Sequence, residues 1–115
     1  MIDTKFETAG DALIMDMKGH ASFAEMGKDP VCAGASILAM TVAQCIRNMG
    51  DERKFQKRPT IRIQNRRVLV VCKPKPAYYA EALHIYYMGE TGMHLLAESY
   101  PDNVSLTPFA RPDKG

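Results

Sequence analysis

At 115 residues with a formal net charge of +2, the chain has the size of one domain, 1–115, and too little charge imbalance to imply a polyanionic partner by itself. Its three cysteines, Cys32, Cys45 and Cys72, form no CxxC pair and leave an odd count, which argues against a disulfide scaffold and fits a reducing cytoplasmic compartment. The first residues include Asp3 and Glu7 without an early apolar run, so no secretory signal is expected, and the most apolar stretch, 31–43, is too short to span a bilayer, so no membrane partner is expected either.

Residues 2–8 and 12–18 read as two strands around a short turn at Ala9-Gly10-Asp11. A loop follows over 19–28. Residues 30–48 read as a helix ended by Gly50, apolar nearly all round and therefore buried on several sides. A polar connection over 51–59 leads to a strand at 60–64, where Ile61 and Ile63 alternate with Arg62. Asn65 and Arg66 lie at a turn before a second run, 67–73, rich in valine. Pro74 and Pro76 interrupt. Residues 78–100 carry helical spacing, with Gly89 and Gly92 each weakening the helix by about 1 kcal/mol relative to alanine, so that a kink or break is expected there. Pro101 ends that element, 104–107 alternates as a final strand, and the tail from Pro108 is expected to be loose. The pattern predicts an α+β fold: a mostly antiparallel sheet packed with two main helices.

The chemistry concentrates between Gly19 and Ser36. Asp29 is a preferred N-cap type and Pro30 suits the first helical position, which puts Cys32 third in the helix. A thiol there meets first-turn N–H groups and the positive end of the helix dipole, and both favour the thiolate. The bland alternative is strong, since a lone cysteine on an apolar helix is ordinarily a small core residue. Cys45, near the other end of the helix, and Cys72, in a strand, are read that way. His20, in a glycine-bounded loop twelve residues before Cys32, can accept the thiol proton and return it to a leaving amine. Asp29 is read as the cap, with orientation of His20 as a second role. Ser36 lies one turn beyond Cys32 and either bonds the sulfur or substrate, or back-bonds to the Cys32 carbonyl. First-turn amides are the obvious donors for an oxyanion. Phe23 and Met26, bracketed by Gly19 and Gly27, either close over a peptide or tuck into the core. His84 and His94 read as surface or packing residues. Two ligands alone make no zinc site, and no cofactor is implied.

The run Gly19-His20-Ala21, then Gly27, then Asp29-Pro30-Val31-Cys32-Ala33, then Ser36, resembles the signature of the ribosomal-processing cysteine proteases. That resemblance implies a catalytic dyad of Cys32 and His20 at the start of the first helix, with Gly19, Ala21, Phe23, Gly27, Asp29, Ala33 and Ser36 as substrate-contacting or supporting positions. It further implies a mobile loop, a small α+β homodimer, and removal of an N-terminal extension from the twenty-seventh protein of the large ribosomal subunit after an aromatic pair. Tyr100-Pro101-Asp102-Asn103-Val104 resembles the family's helix-to-strand corner.

One signal competes. From Arg53 to Lys75 there are nine Lys or Arg residues and no acidic one. Such a block is commonly a solvated face, but it also suits contact with nucleic acid phosphates. The leading expectation is a cysteine endopeptidase. The alternatives are a basic RNA- or ribosome-associated binding module, and a peptidase of the same family acting on phage structural precursors. A homodimer is expected from the helices, through Tyr86, Tyr87, Met88 and Met93 among others.

Overall fold

The computed structural model describes residues 1–19, 30–64 and 66–110. Strand β1 (Ile2–Ala9) turns through Gly10, at φ 61°, into β2 (Ala12–Gly19), and the two pair antiparallel from Ile2 opposite Gly19 to Ala9 opposite Ala12. Helix α1 (Pro30–Asp51) follows, then the hairpin β3 (Thr60–Gln64) and β4 (Arg67–Cys72), a 3-10 turn at Pro76–Tyr78, helix α2 (Tyr79–Ser99) and β5 (Val104–Thr107). The sheet order is β3-β4-β2-β1-β5, antiparallel throughout except that β5 runs parallel to β1.

Alternation along the strands sends Ile2, Phe6, Leu13, Met15, Val68 and Val70 to one face, where they form the core with the buried faces of both helices. Tyr86 is fully buried there, and its hydroxyl lies 3.2 and 3.0 Å from the carbonyl oxygens of Leu13 and Val70, a partner for a polar tip deep in the core. The opposite sheet face carries the charged alternates. On it Arg67 donates to both carboxylate oxygens of Asp16, at 3.0 and 2.9 Å.

Helix α2 is unbroken, contrary to the expected kink. Its glycines serve a close approach between helices. A Cβ on Gly89 would sit 2.7 Å from Val42, and one on Gly92 would sit 2.5 Å from Leu38. Together with Gly34 against Leu96, these contacts run in reverse order along the chain, so the helices lie antiparallel. Fixing the helix against tertiary neighbours outweighs the propensity cost of two glycines.

Helix α1 also runs past its expected end. Arg53 N–H donates to the Gly50 carbonyl at 3.0 Å and Lys54 N–H to the Met49 carbonyl at 3.1 Å, with Arg53 at φ 60°. This is a Schellman stop, with arginine in the left-handed position that glycine usually fills. At 22 residues α1 is long and apolar enough to cross a membrane on length and composition, but here it packs its buried residues on sheet and α2.

The connection after α1 is not wholly polar, because Phe55 is buried and bridges to Pro74. The tail is not loose at 108–110. Phe109 is buried, its ring lies 5.6 Å from those of Phe6 and Tyr87, and its N–H donates to the buried Glu90 carboxylate at 2.7 Å. Tyr86 and Met93, expected at an interface, are core residues instead. The large apolar side chains left exposed on the helices include Ile37, Met88 and Leu95, at 65, 75 and 60 %.

Candidate active site

Cys32 is the third residue of α1 and is partly buried. Its first-turn placement matches the expectation from Pro30, and the backbone N–H groups of that turn face the end where the thiol sits. Helical spacing sorts its neighbours. Gly34, Leu38 and Val42 face α2, whereas Cys32, Ser36, Ala43, Arg47 and Gly50 fall on the opposite stripe. Ser36 and Ala33 are exposed. On this side α1 looks toward β3, an edge strand beyond the cover of the helices, where Ile63 is 46 % exposed.

Gly19 ends β2 at the same end of the molecule. Its N–H donates to the Arg66 carbonyl at 2.9 Å, and its φ is 97°. A Cβ there would lie 2.2 Å from the Met1 carbonyl oxygen, so only glycine fits. That geometry tethers the exit from β2 between the start of the chain and the β3–β4 turn. His20, Ala21, Phe23, Gly27 and Asp29 lie outside the described residues, as do Met26 and Asn65.

The other two cysteines behave as structural thiols. Cys72 is buried in β4, and burial pushes its pKa up to about 11, a rise that the nearby Tyr86 hydroxyl only partly offsets. Cys45 is partly buried in the second half of α1, away from the positive end of the dipole. His84 and His94 are exposed, and His94 lies 2.5 Å from Glu98. Among the described residues, no group of three or more His, Cys, Asp or Glu side chains could hold a metal.

A second concavity lies at the far end of α1, bounded by Arg47, Arg53, Lys57 and Arg58. Arg47 escaped the sequence reading because it precedes the basic block. Only the turn after α1 brings that block back to the helix.

A family model described as cysteine protease Prp matches residues 1–105. No curated protein sequence matches the chain. Among solved structures, an essential ribosomal processing protease Prp from S. aureus, in complex with a covalently linked product peptide, is 24% identical. It has a TM-score of 0.72 over 94% of this chain and 99% of that one. SMU.848 from Streptococcus mutans is 20% identical, with a TM-score of 0.67 over 96% of each chain. These likenesses bear on the fold: two helices on one face of a five-stranded mixed sheet.

Proposed function

The chain belongs to the cysteine protease Prp family, and from that membership we propose that it is an endopeptidase of the cytoplasm that removes an N-terminal extension from a ribosomal protein precursor. The observation that carries this reading is the position of Cys32, third in α1, on the stripe that faces the uncovered edge strand rather than the neighbouring helix. In the proposed mechanism the Cys32 thiolate attacks the scissile carbonyl carbon and the carbonyl π pair moves to oxygen. First-turn amides of α1 hold that oxyanion. His20, having taken the thiol proton, delivers it to the amide nitrogen as the C–N bond breaks. His20 then takes a proton from water as the water oxygen attacks the thioester carbonyl, the C–S bond breaks to release the carboxylic acid, and the proton returns from His20 to the Cys32 sulfur. The extended substrate lies beside β3, whose free edge and exposed Ile63 offer backbone groups and apolar contact.

The substrate we favour is the twenty-seventh protein of the large ribosomal subunit, cut after an aromatic pair. The test is cleavage of that extension peptide, followed by mass spectrometry. Cys32→Ala and His20→Ala should each abolish it with an unchanged circular dichroism spectrum. Full activity in Cys32→Ala would refute the peptidase assignment, whereas cleavage of phage structural precursors in preference to the ribosomal one would move the substrate and keep the chemistry. The exposed Ile37, Met88 and Leu95 support a homodimer formed through the helices. Sedimentation equilibrium at micromolar concentration should give twice the chain mass, and a mass of one chain at all concentrations would exclude that dimer.

A further inference from the structure

The basic stretch divides in the fold. Lys54 lies 2.9 Å from Glu81 and 3.6 Å from Glu52, Arg67 grips Asp16, and Lys73 lies 3.6 Å from Asp11. These cations are satisfied by carboxylates of the chain itself. A second set behaves differently. Arg53, Lys57 and Arg58 join Arg47 of α1 around one cleft of about 530 Å³, between the last turns of the helix and the start of β3. None of the four makes an ion pair among the described residues, and Asp51 is the one acidic residue in the lining. Four like charges in one concavity repel one another, so the arrangement stores an attraction for an anion. Arg53 adds a second, independent sign. It occupies a left-handed backbone position where glycine would be least strained, and it contributes a cation to the cleft.

We propose that this cleft binds the phosphate backbone of RNA, at a site separate from the peptidase centre. Three of the four cations are guanidinium forks, which match phosphate oxygens in pairs. RNA presents a charge at every nucleotide, so neighbouring phosphates engage several of these groups at once. An ordinary protein segment reaches that density only in an acidic run. Phe55, the aromatic in the lining, is 6 % exposed, so no platform for stacked bases exists and recognition is of backbone rather than sequence. Arg47 lies fifteen residues beyond Cys32 on α1, about 22 Å at 1.5 Å per residue. The three or four phosphates seated in the cleft are therefore about four helical turns away from the nucleophile.

The test uses the full chain and a fluorescein-labelled 12-nucleotide single-stranded RNA of mixed sequence, titrated by anisotropy between 50 and 200 mM salt. Binding should weaken with a log–log slope of about −2 to −3, the value for three or four contacted phosphates on a single strand. Lys57→Glu with Arg58→Glu should lose at least tenfold in affinity. The milder Lys57→Gln with Arg58→Gln should lose several-fold with an unchanged melting curve, which separates loss of charge from misfolding. Arg62→Glu, on the sheet face away from the cleft, should change affinity less than twofold. Cleavage of a short peptide should persist in the cleft variants, so this site and the peptidase reading fail independently. Any of three results overturns the proposal: no salt-dependent binding, equal loss in Arg62→Glu and the cleft variants, or displacement of RNA at equal charge by a glutamate-rich peptide or by inorganic phosphate.

Discussion

Alkylation of the three thiols by iodoacetamide at pH 7 separates their environments quantitatively. Cys72, with its pKa pushed up to about 11 by burial, holds only about one part in ten thousand as thiolate. An ordinary thiol near pKa ~8.5 holds about 3%. Ionisation alone therefore slows Cys72 about 300-fold against an unperturbed cysteine, before its 1% exposure is considered. Cys45, partly buried in the second half of α1, is labelled alongside as a comparison thiol away from the helix start. A first-turn position that lowers a thiol by about one pKa unit raises its thiolate fraction about eightfold at pH 7. The weaker nucleophilicity of a less basic thiolate returns roughly a factor of three. The dipole alone thus predicts that Cys32 outpaces an unperturbed thiol about threefold. A thiolate–imidazolium pair with His20 ionises Cys32 further, but the accompanying fall in nucleophilicity keeps the pH 7 ratio near three; the signature of the pair is instead a Cys32 rate nearly flat between pH 6 and 8, which becomes a rise with pH in His20→Ala. Brief exposure, quenching and peptide mapping measure all three rates. Equal labelling of Cys32 and Cys45 would refute the activated thiolate, and a Cys32 rate that rises with pH as steeply in the native chain as in His20→Ala would refute the dyad.

The raised pKa of Cys72 also sets an alkaline limit. The folded state keeps the thiol protonated while the unfolded chain ionises it from about pH 8.5 upward, so this contribution to stability is complete below that pH and is lost as pH rises toward about 11. Urea midpoints between pH 8 and 10 should fall in the native chain and fall less in Cys72→Val, and parallel slopes would count against the assignment. Phe109→Ala should cost about 3–5 kcal/mol in urea unfolding, as for other buried phenylalanines, and a loss below about 1 kcal/mol would mean the tail is not docked. Arg53→Gly relieves a left-handed residue worth about 1–2 kcal/mol while adding unfolded-state entropy of about 0.4–1 kcal/mol, so a net gain of roughly 0.5–1 kcal/mol is expected. The same change should weaken RNA binding; a destabilised Arg53→Gly chain would contradict the strain.

The elements readable from sequence were those specified by local pattern. The alternation of Ile61, Arg62 and Ile63 and the valine run of β4 gave strands within a residue or so of their observed ends. Pro30 placed the start of α1, and with it the position of Cys32, because a helix beginning is a local event. The misreadings involve partners distant in the chain. Gly89 and Gly92 look like helix breakers until Val42 and Leu38 are seen pressed against them. Phe109 looks like a stray aromatic until Phe6 and Glu90 are beside it. Gly50 is the natural local stop for α1, yet the left-handed turn lies three residues later at an arginine, where no residue preference would place it. For the site, Cys32, Ala33, Ser36 and Gly19 could be located, while the fold rather than the sequence joined Arg47 to the basic block.

The parallel pairing of β5 with β1 makes the order of synthesis matter. The β1–β2 hairpin emerges first and can close at once, since Gly10 and Asp11 need no later residue to turn it. Its outer edge then waits for Val104, which follows the end of β1 by 95 residues. At about 5–20 residues per second that is roughly 5–20 s of elongation. Throughout this interval β1 exposes a row of backbone donors and acceptors to any other extended chain in the vicinity. Lys5 and Glu7 flank that edge with charge on the solvent face, and Asp3, which in the finished protein takes the Ser105 hydroxyl as a partner, adds a third. Nascent chains stalled before residue 104 should therefore be the species most prone to pair with one another, and the last strand acts as the seal that ends this vulnerability.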